Sequence, residues 1–314
     1  MTEITLVIWL IAACAIVTVS KTYRVIICFG AFSLLSSVIY LFLGAPNVAM
    51  AEAGVSAFAT IFMIVCIEKF YNSEKSLSSE VKKVQKSTVI KIIAAFVFCA
   101  GLCILFLWHV PIGESAILEL RNQFLRDFMQ SVGGENAVTA VYLGYRVYDT
   151  LFETLLLVIA VVAVSHMSWF AESHVADGEH SEMETSRMTK FTMRIICPII
   201  LMFGVYLTIN GHISAGGGFL GGLAVTTFFM CRYLVFGIYD LPVDKIIKME
   251  EVVFVNIVIL PIFAIFVGVI YLEPAITPFL QTLYLTAMSA LVGMKVACGF
   301  FVLFYRYVAI ERME

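Results

Sequence analysis

Charged residues are scarce in this chain, and their scarcity argues against an ordinary soluble fold. Asp, Glu, Lys and Arg make up 14% of the 314 residues, whereas hydrophobic residues make up 61%. Soluble domains contain about 25% charged and about 45–50% apolar residues. A soluble core does not need this much Phe, Leu, Ile and Val. The composition therefore indicates an integral membrane protein of the all-α class, and we expect no nucleic-acid partner.

Spacings typical of metal-binding or disulfide-bonded cysteines are also missing. The chain has 8 cysteines but no Cys-x-x-Cys pair, and Cys99 and Cys103 are one helical turn apart. This pattern argues against a disulfide framework, a zinc site or an iron–sulfur cluster. The polar segment 171–190 mixes His with acids, but without regular ligand spacing. No nucleophile–base pair or phosphate-binding loop occurs, so we expect no metal, no cofactor and no catalytic residue in this chain, and we predict that it is not an enzyme.

Long apolar runs, by contrast, are frequent. A helix needs about 20 apolar residues to cross the hydrocarbon core of a bilayer. The first run resembles a signal sequence, but its flank Met1–Glu3 is not basic, so we expect it to be a mature helix. The sequence thus predicts a polytopic protein with about nine transmembrane helices. Their approximate bounds are 4–20, 25–43, 48–67, 89–108, 148–169, 191–209, 219–236, 251–272 and 279–304.

The basic residues predict the orientation of these spans. Of the 20 Lys and Arg residues, most fall on one side of the nine-span arrangement, and only Arg121 and Arg126 lie clearly on the other. Because cytoplasmic loops are enriched in Lys and Arg, we expect a multi-pass protein of the prokaryotic inner membrane. Its N-terminus should lie outside and its C-terminus in the cytoplasm.

Two polar linkers divide the chain into three blocks. Residues 1–68 carry three spans, 89–170 carry two, and 191–314 carry four, while 69–88 and 171–190 read as cytoplasmic linkers. The second block also has a long outer connection in which apolar residues recur near helical spacing. They predict an amphipathic helix at the outer membrane surface. These residues are Ile117, Leu120, Phe124, Leu125 and Phe128.

Ionisable residues within the predicted spans are the candidates for function, because a charge costs at least a few kcal/mol at the bilayer centre. Arg146, Asp149 and Glu153 stand at i, i+3 and i+7, so a helix would place them on one face. The two carboxylates would then be one turn apart, about 6 Å along the axis. Such a group can hold a proton or a cation. The alternative is a cluster at the helix end that fixes depth and pairs with a neighbouring subunit.

Glu52 and Lys295 are the other two intramembrane candidates. Glu52 follows a Gly44-Ala45-Pro46-Asn47 turn, in which Asn47 can cap a helix. It is either a protonatable carboxylate facing the interior or an acid that favours the positive end of the helix dipole. Lys295 lies in the middle of an apolar run, where a Lys must pair with an acid or lose its proton. We expect its partner to be water or an acid of an adjacent subunit.

The segment NGHISAGGGFLGG at 210–222 is the most distinctive motif. It contains a formal Gly-x-Gly-x-x-Gly, but a dinucleotide site needs a strand before it and a βαβ unit around it. A tight turn with close helix packing is the better explanation. His212 within it is either a structural residue or a proton relay. The structural glycines predicted here are Gly211, Gly216, Gly217, Gly218, Gly221 and Gly222.

These residues resemble a known family. NGHISAGGGFLGG resembles the GHxxPGGGFxGG signature of the MnhB component of the Mrp (or Mnh) multisubunit Na⁺/H⁺ antiporter, with Ala215 in place of Pro. LGAPNVAMAEAGVSA resembles the GAPDVALTEA pattern of the MbhD-like domain at the C-terminal end of the antiporter's large MnhA component. NAVTAVYLGYRVYDTLFE resembles the NVVTAILxDYRxFDTLGE pattern of the MbhE-like domain beside it, where Gly144 and Phe152 replace an Asp and a Gly.

The resemblance implies a fusion of three family domains that forms one subunit of a cation/proton antiporter module. It implies that Glu52, Arg146, Asp149, Glu153, His212 and Lys295 contribute to the path of Na⁺ or H⁺. Partners would be other membrane subunits, including large antiporter-like ones, and the lipid bilayer. The same domains occur in membrane-bound hydrogenases and ferredoxin-oxidising relatives of complex I. A packing and assembly subunit of such a redox complex is therefore the alternative.

Overall fold

The computed structural model describes residues 2–19, 22–74, 101, 114–172, 186–236, 243–267 and 278–310. Within these ranges the chain is helical and contains no strand, so the predicted all-α class is confirmed. Ten α-helices are numbered here in chain order. They are α1 (Thr2–Thr18), α2 (Thr22–Phe42), α3 (Pro46–Glu74), α4 (Glu114–Ser131), α5 (Ala137–Ala140), α6 (Val147–Glu172), α7 (Arg187–Ile209), α8 (Gly218–Phe236), α9 (Val243–Phe266) and α10 (Pro278–Ile310).

Seven of the described helices are long and apolar enough to cross a membrane. They confirm a polytopic membrane protein, although they do not establish the expected count of nine. The first predicted span is α1, which has 17 residues and is not among the seven. Apart from Gly101, the predicted span 89–108 lies outside the described residues. The two linkers, 69–88 and 171–190, are largely outside them as well.

Two compact units can be distinguished. The smaller comprises residues 70–126, and its described part consists mainly of the first turns of α4. The predicted helix in the connection of the second block is thus confirmed, whereas its place at the outer surface stays a prediction. The larger unit comprises residues 1–69 and 127–314.

Helix α10 is the centre of the larger unit. It packs against α6, α8 and α9, and α8 also packs along α7. Aromatic rings join α3 to α10, where the ring centroids of Phe58 and Phe300 are 4.8 Å apart. The buried core residues come from distant parts of the sequence, as Val132, Leu143, Leu285 and Val302 do. The candidate residues therefore lie around a central helix to which several segments contribute neighbours.

Glycines end the helices where the chain must turn. Gly44 follows α2 with φ +72°, and Gly133 and Gly134 follow α4 with φ +83° and +85°. Only glycine adopts such angles without steric cost. Asn136 then caps α5, since its Oδ1 accepts a hydrogen bond from Val138 N at 3.1 Å. The Gly133-Gly134 pair thus breaks the chain between α4 and α5, and Asn136 begins the second of these helices.

A π-helix at Val141–Tyr145 separates α5 from α6. Arg146 follows it and caps its C-terminal end, with backbone angles φ −122° and ψ 40°. Thr150, in the first turn of α6, donates a hydrogen bond to the Tyr142 carbonyl at 2.7 Å. Because π-turns are rare and often occur at functional sites, this break is a structural feature that a helical-periodicity argument does not reveal.

Candidate functional site

A Lys–Glu ion pair is buried at the centre of the larger unit. The Lys295 ammonium on α10 contacts the Glu250 carboxylate on α9, and their side chains are 0% and 3% exposed. The ring centroid of Phe254, one helical turn after Glu250, lies 5.3 Å from Lys295 Nζ. An ammonium over an aromatic face is attracted by the ring quadrupole. The cation is therefore enclosed by one acid and one aromatic ring.

This pair corrects the expected partner of Lys295. We expected water or an acid of an adjacent subunit, but the acid is Glu250 of the same chain. Sequence reasoning missed Glu250 because it precedes the predicted span 251–272 and stands beside Lys248 and Glu251, as in a solvated helix end. The available signal was spacing: Glu250, Phe254 and Ile257 recur at i, i+4 and i+7, and Ile257 is fully buried.

Glu52 accepts a hydrogen bond from Ser33, which links α3 to α2. Helix α3 begins at Pro46, so Glu52 lies beyond its first turn, and no acid occupies that turn. The helix dipole acts mainly within the first turn, so it does not account for an acid at position 52. Its carboxylate is half-buried between two helices.

Arg146 and Asp149 pair with one another, and Glu153 follows one turn further along α6. Arg146 forms an ion pair with Asp149 at 2.7 Å, but the two side chains are 67% and 53% exposed. Glu153 is exposed and makes no hydrogen bond or ion pair with the described part of the chain. Arg146 therefore balances the charge of Asp149, and a proton or cation site shared by Asp149 and Glu153 stays a prediction.

Gly144 is explained by packing. A Cβ atom at this position would lie 2.8 Å from Val132 Cγ2 and 3.2 Å from Val132 Cβ. No side chain fits there unless Val132 moves. The π-helix therefore approaches the end of α4 too closely to carry an acid at position 144.

His212 lies in a short 3-10 helix, Asn210–His212, that continues α7. Its side chain is 9% exposed. Nδ1 lies 3.0 Å from the Ile209 carbonyl oxygen and 3.5 Å from Thr286 Oγ1 on α10. The ring thus has a structural partner and also touches a hydroxyl of the central helix, so both alternatives for His212 stay open.

The glycines after His212 allow close approach, as the sequence predicted. Gly217 adopts φ +129°, and a Cβ on it would collide with the Tyr142 hydroxyl. Gly218 faces the Ser289 carbonyl of α10, and a Cβ on Gly222 would lie 2.5 Å from the Gly293 carbonyl oxygen. Gly218 therefore needs to be glycine because of packing and not because of positive φ.

The remaining predicted glycines pack the turn against itself and against α7. A Cβ on Gly211 would lie 2.6 Å from Gly217 Cα, and one on Gly216 would lie 3.0 Å from the Leu207 carbonyl oxygen. A Cβ on Gly221 would lie 2.7 Å from the Gly204 carbonyl oxygen. Backbone atoms are the obstacles in each case, so a side chain could not be accommodated by rotamer changes.

Two asparagines join the three sequence blocks. The two amide protons of Asn136 Nδ2 are shared among three acceptors, which are Asn47 Oδ1 at 3.1 Å, the Gly211 carbonyl at 3.0 Å and the Ser214 carbonyl at 2.8 Å. Gly216 N donates to Asn47 Oδ1 at 3.4 Å. We call Asn47 and Asn136 the amide clasp. Asn47 was expected to cap α3, but that helix begins one residue earlier, and the side chain contacts the other two blocks instead.

Tyr142 is a further residue that the sequence did not single out. Its hydroxyl lies 3.5 Å from Thr139 Oγ1, which itself donates to the Gly211 carbonyl at 2.6 Å. Burial, and to a lesser extent the charge of Glu153, raises the pKa of the Tyr142 phenol above its ordinary value. The phenol therefore remains protonated at neutral pH and can serve as a hydrogen-bond donor.

Two family models match the chain. Residues 188–311 match the model described as a domain related to the MnhB subunit of Na⁺/H⁺ antiporter, and residues 7–72 match the model of the MBH component called MbhD. Apart from residues 70–72, both matches lie within the larger unit. The first contains the glycine turn, Glu250 and Lys295, and the second contains Asn47 and Glu52.

Curated relatives include two proteins of Staphylococcus haemolyticus. The chain is 25% identical over 150 residues to putative antiporter subunit mnhA2, which is 48% of this chain and 18% of that protein. It is 30% identical over 86 residues to putative antiporter subunit mnhB2, which is 26% of this chain and 61% of that protein. The chain thus spans less than two-thirds of the length of either relative.

Two solved structures share the fold. The Mrp complex from Dietzia sp. DQ12-45-1b has a chain that matches with a TM-score of 0.71 and 20% identity, covering 96% of this chain and 34% of that one. The archaeal membrane-bound sulfane sulfur reductase has a chain that matches with a TM-score of 0.55 and 25% identity, covering 71% of this chain and 98% of that one. At these identities, the first likeness is one of fold.

Proposed function

We propose that this chain, an Mnh-type fusion of an MbhD domain (7–72) with an MnhB-related domain (188–311), is an integral subunit of a multisubunit cation/proton antiporter. Its buried charges would form part of the route by which Na⁺ and H⁺ exchange across the membrane. Its role would be transport and not enzymatic catalysis. Its partners would be other membrane subunits, among them large antiporter-like ones that bear most of the ion path.

The buried Glu250–Lys295 pair is the observation that carries this proposal. Taking two charges out of water costs several kcal/mol per ion, and their mutual attraction often does no more than offset that cost. A hydrophobic pair would pack the same place at least as well. Ionisable residues within membrane segments are by default candidates for ion transfer, and this pair is almost completely shielded from solvent.

The geometry of the pair allows one proton to change places without a change in net charge. When the Lys295 ammonium gives its proton to the Glu250 carboxylate, both groups become neutral, and the reverse step restores the ion pair. A proton or cation arriving nearby shifts the balance between the two states. Phe254 lies near the ammonium in the charged state and favours it through the cation–π interaction.

The alternative is a packing subunit in the membrane arm of a redox-driven complex related to complex I. The likeness to a chain of the membrane-bound sulfane sulfur reductase, which this chain covers over 98% of its length, favours this alternative. So do the glycine contacts and the amide clasp, which hold helices together and need no ion. In that case ions would pass through other subunits.

We further propose that the N-terminus lies outside the cell and the C-terminus in the cytoplasm. The support is the excess of Lys and Arg in 69–88 and on the same side of the other spans. A membrane-impermeant thiol reagent applied to intact cells should fail to label cysteines introduced at Ser78 and Ser181 in a background without native cysteines. Labelling of either site from outside would contradict the orientation.

The functional proposal is tested with the complete complex, purified and reconstituted into vesicles, by measuring Na⁺-driven proton movement. Lys295→Ala should lower the rate strongly, and Lys295→Arg should restore it poorly, because a guanidinium stays charged and cannot release a proton. Lys248→Ala removes an exposed cation from the same region and serves as the control. Wild-type rates in an assembled Lys295→Ala complex would contradict a transport role for the pair.

A further inference from the structure

Three serines on α2 are buried inside a candidate membrane span. Ser33, Ser36 and Ser37 are 4%, 9% and 8% exposed, and α2 is one of the helices long and apolar enough to cross a membrane. A buried hydroxyl without a hydrogen-bond partner is destabilising, so each of these side chains needs a partner on α2 or on a neighbouring helix. The three partners differ, and they distinguish the role of Ser33 from that of the other two.

Two contacts hold α2 and α3 close together on either side of Ser33. Ser37 Oγ donates a hydrogen bond to the Ala49 carbonyl oxygen of α3 at 2.6 Å. At Gly30, a Cβ atom would lie 2.7 Å from Thr60 Oγ1 of α3, so no side chain fits there unless Thr60 moves. Gly30, Ser33 and Ser37 recur at i, i+3 and i+7 and share one face of α2. Packing on both sides therefore fixes the place of Ser33 opposite α3.

Between these contacts, Ser33 Oγ donates a hydrogen bond to Glu52 Oε1. Within the described part of the chain, Ser33 is the one partner of this carboxylate, and no Lys or Arg pairs with it. Glu52 is the seventh residue of α3, about 9 Å along the axis from the start of the helix. An acid at such a depth in a membrane span is costly. The hydroxyl of Ser33 thus gives the acid a polar neighbour at the contact between α2 and α3.

A hydroxyl suits an acid that gains and loses a proton, because it can both donate and accept hydrogen bonds. Ser33 donates to the Glu52 carboxylate, and it can accept from the same group once that group is protonated. Its own proton can then turn to the Phe29 carbonyl one turn earlier, as Ser36 donates to the Phe32 carbonyl at 3.0 Å. Ser33 keeps its proton throughout, so Glu52 alone gains and loses one.

We propose that Ser33 is a positioning residue that holds Glu52 at the contact between α2 and α3 in both protonation states and so aligns it for proton transfer. This role rests on the proposed transport function. The other two serines have structural partners: Ser36 accepts a hydrogen bond from Trp9 Nε1 of α1 at 2.7 Å, and Ser37 binds the backbone of α3. They provide controls that change the same helix without touching the acid.

The test uses Ser33→Ala, Ser33→Thr and the matched control Ser37→Ala in the complete reconstituted complex. Since misplacing a reacting group by about 1 Å can cost about 10²-fold, Ser33→Ala should lower the maximal rate of Na⁺-driven proton movement about tenfold or more. The KM for Na⁺ should change by no more than about twofold, because the loss falls on the transfer step. Ser33→Thr keeps the hydroxyl and should retain most of the rate. Ser37→Ala should lower it by no more than about twofold, because its bond is to the backbone.

A second comparison asks whether Ser33 acts through Glu52. Glu52→Gln should lower the rate strongly, and adding Ser33→Ala to it should leave the residual rate unchanged, because the two residues act as one unit. If Ser33→Ala prevents assembly, Ser33→Cys takes its place, since a thiol is close in size to the hydroxyl but is a weak donor. Ser33→Cys should slow transport as Ser33→Ala would.

A purely structural Ser33 makes the opposite forecast. Equal losses in Ser33→Ala and Ser37→Ala, or an assembled Ser33→Ala complex with the wild-type rate, would overturn the positioning role. A normal rate in Glu52→Gln, a further loss when Ser33→Ala is added to it, or a change in the KM for Na⁺ alone would also overturn it. If Lys295→Ala is inactive, these results leave the transport function intact. If Lys295→Ala is active as well, the transport function itself fails.

Discussion

Breaking the buried Glu250–Lys295 pair from one side should destabilise the protein more than removing it entirely. Lys295→Met deletes the ammonium and keeps the length of the side chain, which leaves the Glu250 carboxylate alone at 3% exposure. Removing one partner of a buried pair costs about 3–5 kcal/mol, because the other charge is left without compensation. Glu250→Gln leaves the ammonium with an amide oxygen and the Phe254 ring, so it should cost somewhat less.

The neutral double variant Glu250→Gln/Lys295→Met carries no buried charge. Replacing a whole buried ion pair by groups of similar volume is often neutral or stabilising. We therefore expect its stability to return close to that of the wild type. The coupling between the two substitutions should amount to several kcal/mol, at or above the upper end of the range of about 0.5–3 kcal/mol that is usual for contacting residues.

The assay is thermal unfolding of the detergent-solubilised protein, followed by size-exclusion chromatography with fluorescence detection. At about 2 °C of Tm per kcal/mol for a chain of this size, Lys295→Met should lower Tm by about 6–10 °C. The double variant should recover most of that loss but should remain inactive in transport. A double variant as unstable as Lys295→Met would refute the pairing. A stable and fully active double variant would show that the pair is structural only.

Three further outcomes are expected. Gly218→Val should prevent assembly, because the side chain would meet the Ser289 carbonyl. A native gel that shows an assembled but inactive Gly218→Val complex would indicate that the glycine turn takes part in ion transfer. Glu153→Gln should strongly reduce coupled transport in an assembled complex. Normal transport by the Asp149→Asn/Glu153→Gln double variant would show that neither acid takes part in ion transfer. Asn136→Ala should lower Tm by several degrees, because it removes both amide protons that Asn136 supplies to the amide clasp and also the cap of α5, and a hydrogen bond is worth about 1 kcal/mol. An unchanged Tm would mean that the clasp contributes no stability.

The sequence predicted the helical membrane class and the burial of Lys295, because an apolar run of sufficient length determines both. It did not predict the partner of Lys295. Glu250 lies at the polar edge of its apolar run, and only the packing of α9 along α10 brings the carboxylate inside. Helical periodicity likewise did not predict the π-helix at Val141–Tyr145, because it assumes an unbroken helix.

Local signals also misjudged Asn47. An Asn near a helix start is a good cap, and nothing nearby in sequence indicates that its side chain bonds to Asn136, 89 residues away. The glycine motif was predicted more successfully, since small residues four apart favour close helix contact irrespective of the partner. Which helix each glycine approaches, and that Gly217 lies under Tyr142, depended on tertiary structure.

The central claim is that this chain is one component of an ion-exchanging membrane complex. Affinity purification of the tagged full chain from its native membrane, followed by mass spectrometry, tests it most directly. We expect large antiporter-like membrane proteins to co-purify and the purified assembly, in vesicles, to exchange Na⁺ for H⁺. Co-purification of nickel–iron or iron–sulfur proteins with no such exchange, or recovery of the chain alone, would contradict it.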